Sequence, residues 1–133
     1  MINCKNKGCR GEREWAAFLR DMGIDARRGR QYCGDSEAPD VKTAIQGVHC
    51  EVKRTERLRI HPAMEQAEGD CGIGDVPYVA YKRNRAPWMV ILRGFDVTAF
   101  CISWLTALGY RVDPPASARL SGGAFSSRVK NAS

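Results

Sequence analysis

The segment Val48-His49-Cys50-Glu51-Val52-Lys53 alternates apolar and polar residues without interruption. Successive side chains of a β-strand point to opposite faces, so Val48, Cys50 and Val52 can enter a core while Glu51 and Lys53 share the other face. Such a strand ties the chain to a layered fold in which a charged face is a surface feature on a rigid base. At 133 residues, the chain has room for one compact domain with one core and a single site.

The flanking sequence supplies the other layers. Gly11 to Met22 sets Trp15, Phe18, Leu19 and Met22 at three-and-four spacing opposite Glu14, Arg20 and Asp21, with Gly23 as a stop, and predicts a helix. Ile24 to Gly29 predicts a strand entering a polar loop punctuated by Gly29, Gly34 and Pro39. Pro39-Asp40-Val41 begins a second short strand, and Gly47 can turn the chain into the third. Pro62 suits the first turn of a helix over about 62–70, with Ala63, Met64 and Ala67 available to pack. Val76–Tyr81 and Trp88–Leu92 read as a hairpin around Lys82-Arg83-Asn84-Arg85 and Pro87. Phe95 to Leu108 offers Phe95, Ala99, Ile102, Leu105 and Leu108 as an apolar helical face, stopped by Gly109. The order predicts an α/β or α+β architecture with a mixed five-stranded sheet flanked by helices. Residues 1–112 form the expected domain, and residues 113–133, rich in Pro, Ser, Gly, Arg and Asn, an expected flexible basic tail.

Lys and Arg number 21 against 15 Asp and Glu, a formal net charge of +6. The excess favours a polyanionic partner, because neutralising phosphates releases condensed counterions. A solubilising surface accounts for it equally well on composition alone, so position must decide. No apolar run is long enough to span a bilayer, and no membrane partner is expected. Met1-Ile2-Asn3-Cys4-Lys5 lacks the apolar core and cleavage site of a secretory signal, so the expected location is the cytoplasm. In that reducing setting Cys4, Cys9, Cys33, Cys50, Cys71 and Cys101, none in a CxxC pair, read as buried thiols. Cys50 and Cys101 fit the role of small hydrophobes, and a zinc site using Cys4 and Cys9 has only a weak signal.

Position favours chemistry around the third strand. Asp40 starts an adjacent strand, and a short connection through Gly47 can bring its carboxylate beside Glu51, with Lys53 next to both. A hard cation such as Mg²⁺ takes one or two carboxylates completed by water and substrate phosphate. Asp40 and Glu51 offer that set, the Val52 carbonyl can add a ligand, and Lys53 can position water or neutralise charge in a transition state.

Pro39-Asp40 followed by Glu51-Val52-Lys53 resembles the PD-(D/E)xK nuclease signature. The wider layout is similar to the archaeal and phage type of Holliday junction resolvase, over roughly residues 7 to 93. Lys7-Gly8 followed by Gly11-Glu12-Arg13-Glu14 is similar to that family's opening, and Gln66 and the closing hairpin to its later elements. The resemblance implies a restriction-endonuclease-like core and Mg²⁺-dependent cleavage of DNA, with Mn²⁺ as a substitute ion. It also implies a homodimer placing two sites across a four-way junction. It assigns Asp40, Glu51, Lys53, Glu12 and Gln66 to catalysis, with Asp40, Glu51, Val52 and Glu12 at the metal. Ser36 is the counterpart of a functional serine near the site. Arg13, Arg27, Arg28, Arg30, Lys42, Arg54 and Arg57 cluster in sequence around the site, where phosphate contacts are expected.

Each assignment competes with a plainer one. Glu51 and Lys53 alone read as a solvated charge stripe, Glu12 as an acid favoured in a first helical turn, and Gln66 as an exposed helical residue. His49 shares the face of Glu51 but lies outside the motif, and His61 precedes a helix, so neither is assigned to catalysis. Trp15, Trp88 and Trp104 read as core or subunit-interface residues. The leading expectation is a structure-selective endonuclease of branched DNA in recombination or repair. A general phage or repair nuclease and a non-catalytic DNA-binding protein are the rivals.

Overall fold

The structure, a computed structural model, describes residues 4–28 and 41–113. In chain order the elements are α1 (Cys4–Asp21), β1 (Ala26–Arg28), β2 (Val41–Thr43), β3 (Val48–Arg54), α2 (Ile60–Asp70), β4 (Val76–Lys82), β5 (Met89–Ile91), a 3-10 turn (Gly94–Asp96) and α3 (Val97–Ala107). Both glycine stops act as the sequence predicts. Gly23, at φ 95°, donates its N–H to Arg20 O at 3.0 Å while Ile24 N–H reaches Leu19 O at 2.9 Å, and Gly109 repeats the pattern with Thr106 and Leu105. A left-handed residue there satisfies carbonyls that the helix leaves open. No helix among the described residues is long and apolar enough to cross a membrane.

The architecture is mixed α/β; among the described residues five strands form a two-stranded and a three-stranded sheet, and the single five-stranded sheet expected from the sequence is not seen. β1 pairs antiparallel with β2, setting Arg27 opposite Lys42. β3 pairs parallel with β4 from Val48↔Val76 to Arg54↔Lys82, and β4 pairs antiparallel with β5. The short β2 spends its ladder on β1, extended by Ala44 N–H to Asp25 O at 2.8 Å, and Gly47 O is taken by Val76 N–H at 2.8 Å. No ladder joins the two sheets among the described residues.

The core gathers around Trp15, which is fully buried. Its ring lies 5.2 Å from Phe18, 5.0 Å from Trp88 and 6.5 Å from Trp104, and Phe100 meets Tyr78 edge-on at 5.0 Å. Apolar area and aromatic geometry both favour this cluster. It also corrects the expected face of α3. Phe100 is buried, with Ala99, Trp104, Ala107 and Leu108 partly buried beside it, whereas Phe95 and Leu105 are exposed. Apolar residues surround most of this helix, so spacing does not fix its rotation and contact with Trp15 and Tyr78 does. Cys50 is buried as expected, but the same rotation leaves Cys101 exposed.

α1 also begins at Cys4, where the sequence predicted Gly11. A Cβ on Gly11 would stand 2.9 Å from Arg54 Cβ and 3.4 Å from Val52 Cγ1, so the glycine marks close approach of α1 to β3 and not a boundary. Beside it, Glu14 joins helix to sheet. Arg54 Nε donates to its Oε2 at 3.1 Å, Arg10 Nε donates to its Oε1 at 2.8 Å, and Lys82 Nζ lies 3.9 Å away. Burial opposes the charged form of Glu14, but hydrogen bonds from Arg54 and Arg10 and the charges of Arg54 and Lys82 outweigh it, holding the pKa below its ordinary 4.5.

Gly11→Ala is expected to destabilise the fold by about 1–3 kcal/mol through overpacking, despite roughly 1 kcal/mol of better helix propensity; an unchanged or raised urea midpoint would refute the close-approach account. Glu14 has a depressed folded pKa, so its stabilisation is present above the ordinary carboxylate value and is lost as pH falls through the folded pKa. The urea-midpoint gap between wild type and Glu14→Gln should therefore narrow from pH 7 to pH 3, and a gap independent of pH would exclude the clamp.

Candidate functional site

Parallel strands cannot be joined by a tight turn, so the chain leaving β3 crosses over through α2 before entering β4. Ala63, Met64 and Ala67 are buried against Val79, with Leu58, Tyr81 and Ile91 packed around them. The two alanines let the helix lie close to the sheet. Val79 is in register with Glu51, and Tyr81 with Lys53. α2 therefore covers the polar face of β3, while α1 covers the face of Cys50, Val52 and Arg54.

Covering that face changes what its charges are. Glu51 is only 8% exposed, so it is not the solvated stripe that a surface strand would carry. Desolvating a carboxylate costs roughly several kcal/mol, whereas an exposed ion pair contributes about 0–1 kcal/mol. Lys53 Nζ stands 3.4 Å from Glu51 Oε1 and donates to Gln66 Oε1 at 2.7 Å. Glu51 and Lys53 of β3 and Gln66 of α2 thus meet at one place.

The same face holds two residues that the sequence reading left out. A ring nitrogen of His49 and carboxylate oxygens of Glu51 and Asp70 all lie within 4.8 Å of one another, a donor set that fits a divalent cation. A signal for both was present. His49 is two residues from Glu51 along the strand, and Asp70 is four from Gln66 along a helix, so each shares a face with a residue already singled out. His49 lies outside the motif, so the motif alone does not include it.

Other predicted site residues are spread around this centre. Asp40, Ser36 and Arg30, like residues 114–133, lie outside the described residues. Glu12 is half-buried on α1 and is not a member of the His49–Glu51–Asp70 group. Val52 packs its side chain toward the aromatic core. Arg54, expected at phosphate, has a side chain only 9% exposed and committed to Glu14 on the opposite face from Glu51. Arg13 and Arg57 are exposed on α1 and in the β3–α2 connection, and Arg28 lies in β1. Arg27 and Lys42 are exposed and directly opposite each other, bordering a polar hollow of about 420 Å³ with Asp25 and Thr43.

No family model matches the chain, and no curated protein sequence matches it. Among solved structures, it is similar to Hjc, a Holliday junction resolvase from the archaeal hyperthermophile Archaeoglobus fulgidus. The match has 25% identity over 62% of this chain and 74% of that one, with a TM-score of 0.44.

Like charges directly opposite on a two-stranded sheet are destabilising. Lys42→Glu should therefore raise the urea midpoint, by up to about 1 kcal/mol in stability, through pairing with Arg27. A lowered midpoint would mean that the two cations are already balanced by another group.

Proposed function

We propose that this chain is a metal-dependent endonuclease that hydrolyses phosphodiester bonds in branched DNA, with four-way junctions as its substrate. The observation that carries the reading is the meeting of buried Glu51 with Lys53 and Gln66, three residues that the resemblance to PD-(D/E)xK nucleases implies for catalysis. A restriction-endonuclease-like core, a homodimer and a cytoplasmic role in recombination or repair belong to the same proposal.

In this reading a divalent cation, Mg²⁺ with Mn²⁺ as a substitute, supplies Lewis-acid polarisation of the phosphodiester and activation of a water. Glu51 would hold it, with Asp40, Glu12 and the Val52 carbonyl as further ligands. The chain's own groups do the rest. β3 is fixed along its length by β4, so Glu51 and Lys53 hold their separation without reorganisation. Lys53 gives one N–H to Gln66 and faces Glu51, which orients its remaining donor capacity toward a water or a phosphate oxygen. Its positive charge then lies where negative charge grows as water attacks phosphorus and the leaving oxygen departs. Arg27 and Lys42 would hold the flanking backbone, with Arg13, Arg28, Arg30, Ser36 and Arg57 as further contacts, because phosphate contacts set register without reading sequence. Two such sites on a two-fold dimer would give paired nicks.

The test is cleavage of a synthetic four-way junction, with linear duplex and single strand as controls, with and without Mg²⁺. Junction nicking that needs metal and falls roughly a hundredfold or more in Glu51→Gln and Lys53→Ala is the expected result. Equal cutting of all substrates would replace the resolvase reading with a general phage or repair nuclease. Tight DNA binding without cutting under any metal would leave a non-catalytic binder.

A further inference from the structure

We infer that His49 and Asp70 join Glu51 as ligands of a divalent cation, and that the imidazole makes this site favour Mn²⁺ over Mg²⁺. The inference deepens the nuclease reading by sharing Glu51 with it, but it concerns ion binding and stands without DNA. Its first support is geometric. The three ligand atoms lie within 4.8 Å of one another. Donors about 2.0–2.2 Å from one ion stand about 3 Å apart when adjacent and up to about 4.4 Å when opposite. Separations of no more than 4.8 Å are close to that range.

The second support is independent. His49 Nε2 is sealed from solvent and has no hydrogen-bond partner among the described residues. Buried polar atoms are nearly always satisfied, and an unsatisfied one weakens the fold. A metal ion bound to that nitrogen would satisfy it. The placement of Asp70 points the same way. It is the last residue of α2, whose final turn carries no basic residue, so its carboxylate sits at the negative end of the helix dipole. An acid there is locally unfavourable, and a cation beside it offsets both the carboxylate and the helix terminus.

Donor chemistry then selects the ion. Mg²⁺ demands oxygen ligands and holds its waters tightly, whereas Mn²⁺ shares its preference for carboxylates but, as the first of the transition-ion affinity series for N/O sites, also tolerates a nitrogen donor. A site of oxygens alone would be content with Mg²⁺. One that includes His49 gains more from Mn²⁺.

The experiment titrates the full chain without DNA, following loss of the free Mn²⁺ electron paramagnetic resonance signal and measuring Mg²⁺ by competition against it. His49→Gln should weaken Mn²⁺ binding about tenfold or more while changing Mg²⁺ binding no more than about twofold. Asp70→Asn should weaken both ions, Glu51→Gln should weaken both further, and His61→Gln, on the exposed first turn of α2, should change neither. Thermal unfolding of each variant, without metal, reports whether the fold is retained. Unchanged Mn²⁺ binding in folded His49→Gln would overturn the inference, as would equal losses for both ions or an equal effect of His61→Gln. Failure of junction cleavage with this selectivity intact would sink the nuclease reading alone. Metal-dependent cleavage with His49→Gln binding Mn²⁺ as wild type would sink the inference alone.

Discussion

Parallel pairing of β3 with β4 dictates where the polar chemistry of this chain can sit. Two parallel strands need a crossover, and the crossover helix must lie on one face of the sheet. In this chain α2 lands on the face of His49, Glu51 and Lys53, because Ala63, Met64 and Ala67 have Val79 to pack against. Had β3 and β4 formed an antiparallel hairpin, nothing would cover Glu51, and its pairing with Lys53 would be a solvated contact of little energetic weight. The crossover supplies Gln66 and Asp70 and removes Glu51 from water in one step.

The period-two geometry of β3 separates two uses of charge that adjacent residues would otherwise confuse. Arg54 points to α1 and holds Glu14 at 3.1 Å, while Lys53 points to α2 and reaches Glu51 and Gln66. The α1 side is structural. Gly11 brings the helix close, the aromatic cluster around Trp15 supplies the apolar burial, and Glu14 joins α1 to both β3 and β4. The α2 side has a smaller apolar contact and more polar groups, so it contributes less to folding and more to a site.

Much of this was legible in the sequence, and the failures have identifiable physical causes. Strands and helices were located because alternation and three-and-four spacing are local signals. Glycine stops at Gly23 and Gly109 were legible because their conformational demand is local too. Pairing is not local: strand positions alone do not tell one five-stranded sheet from a two-stranded and a three-stranded one. The facing of α3 was misread because a helix apolar on most sides has no periodicity to read. Arg54 was grouped with phosphate-binding cations by proximity in sequence, which ignores the strand's two faces. His49 and Asp70 share faces with Glu51 and Gln66 but lie outside the motif, so only the same-face rule brings them in.

Three features of the chain work against folding, and all three lie away from the aromatic core. Glu51 is a carboxylate under a helix, Asp70 sits at the wrong end of that helix, and Arg27 faces Lys42 across the β1–β2 pair. A sequence selected for stability alone would tend to remove them, since replacing a whole buried ion pair with apolar residues is often neutral or stabilising and opposite charges at 27 and 42 would attract. Such violations are expected where a ligand supplies the missing balance. Their signs differ by place: Glu51 and Asp70 lie near His49 on the α2 side of β3, with Lys53 beside Glu51, whereas Arg27 and Lys42 stand together on β1 and β2. The aromatic cluster and the α1–β3 packing lie on the other side of β3 from Glu51, so the stability they supply lets the chain carry charges that are locally unfavourable.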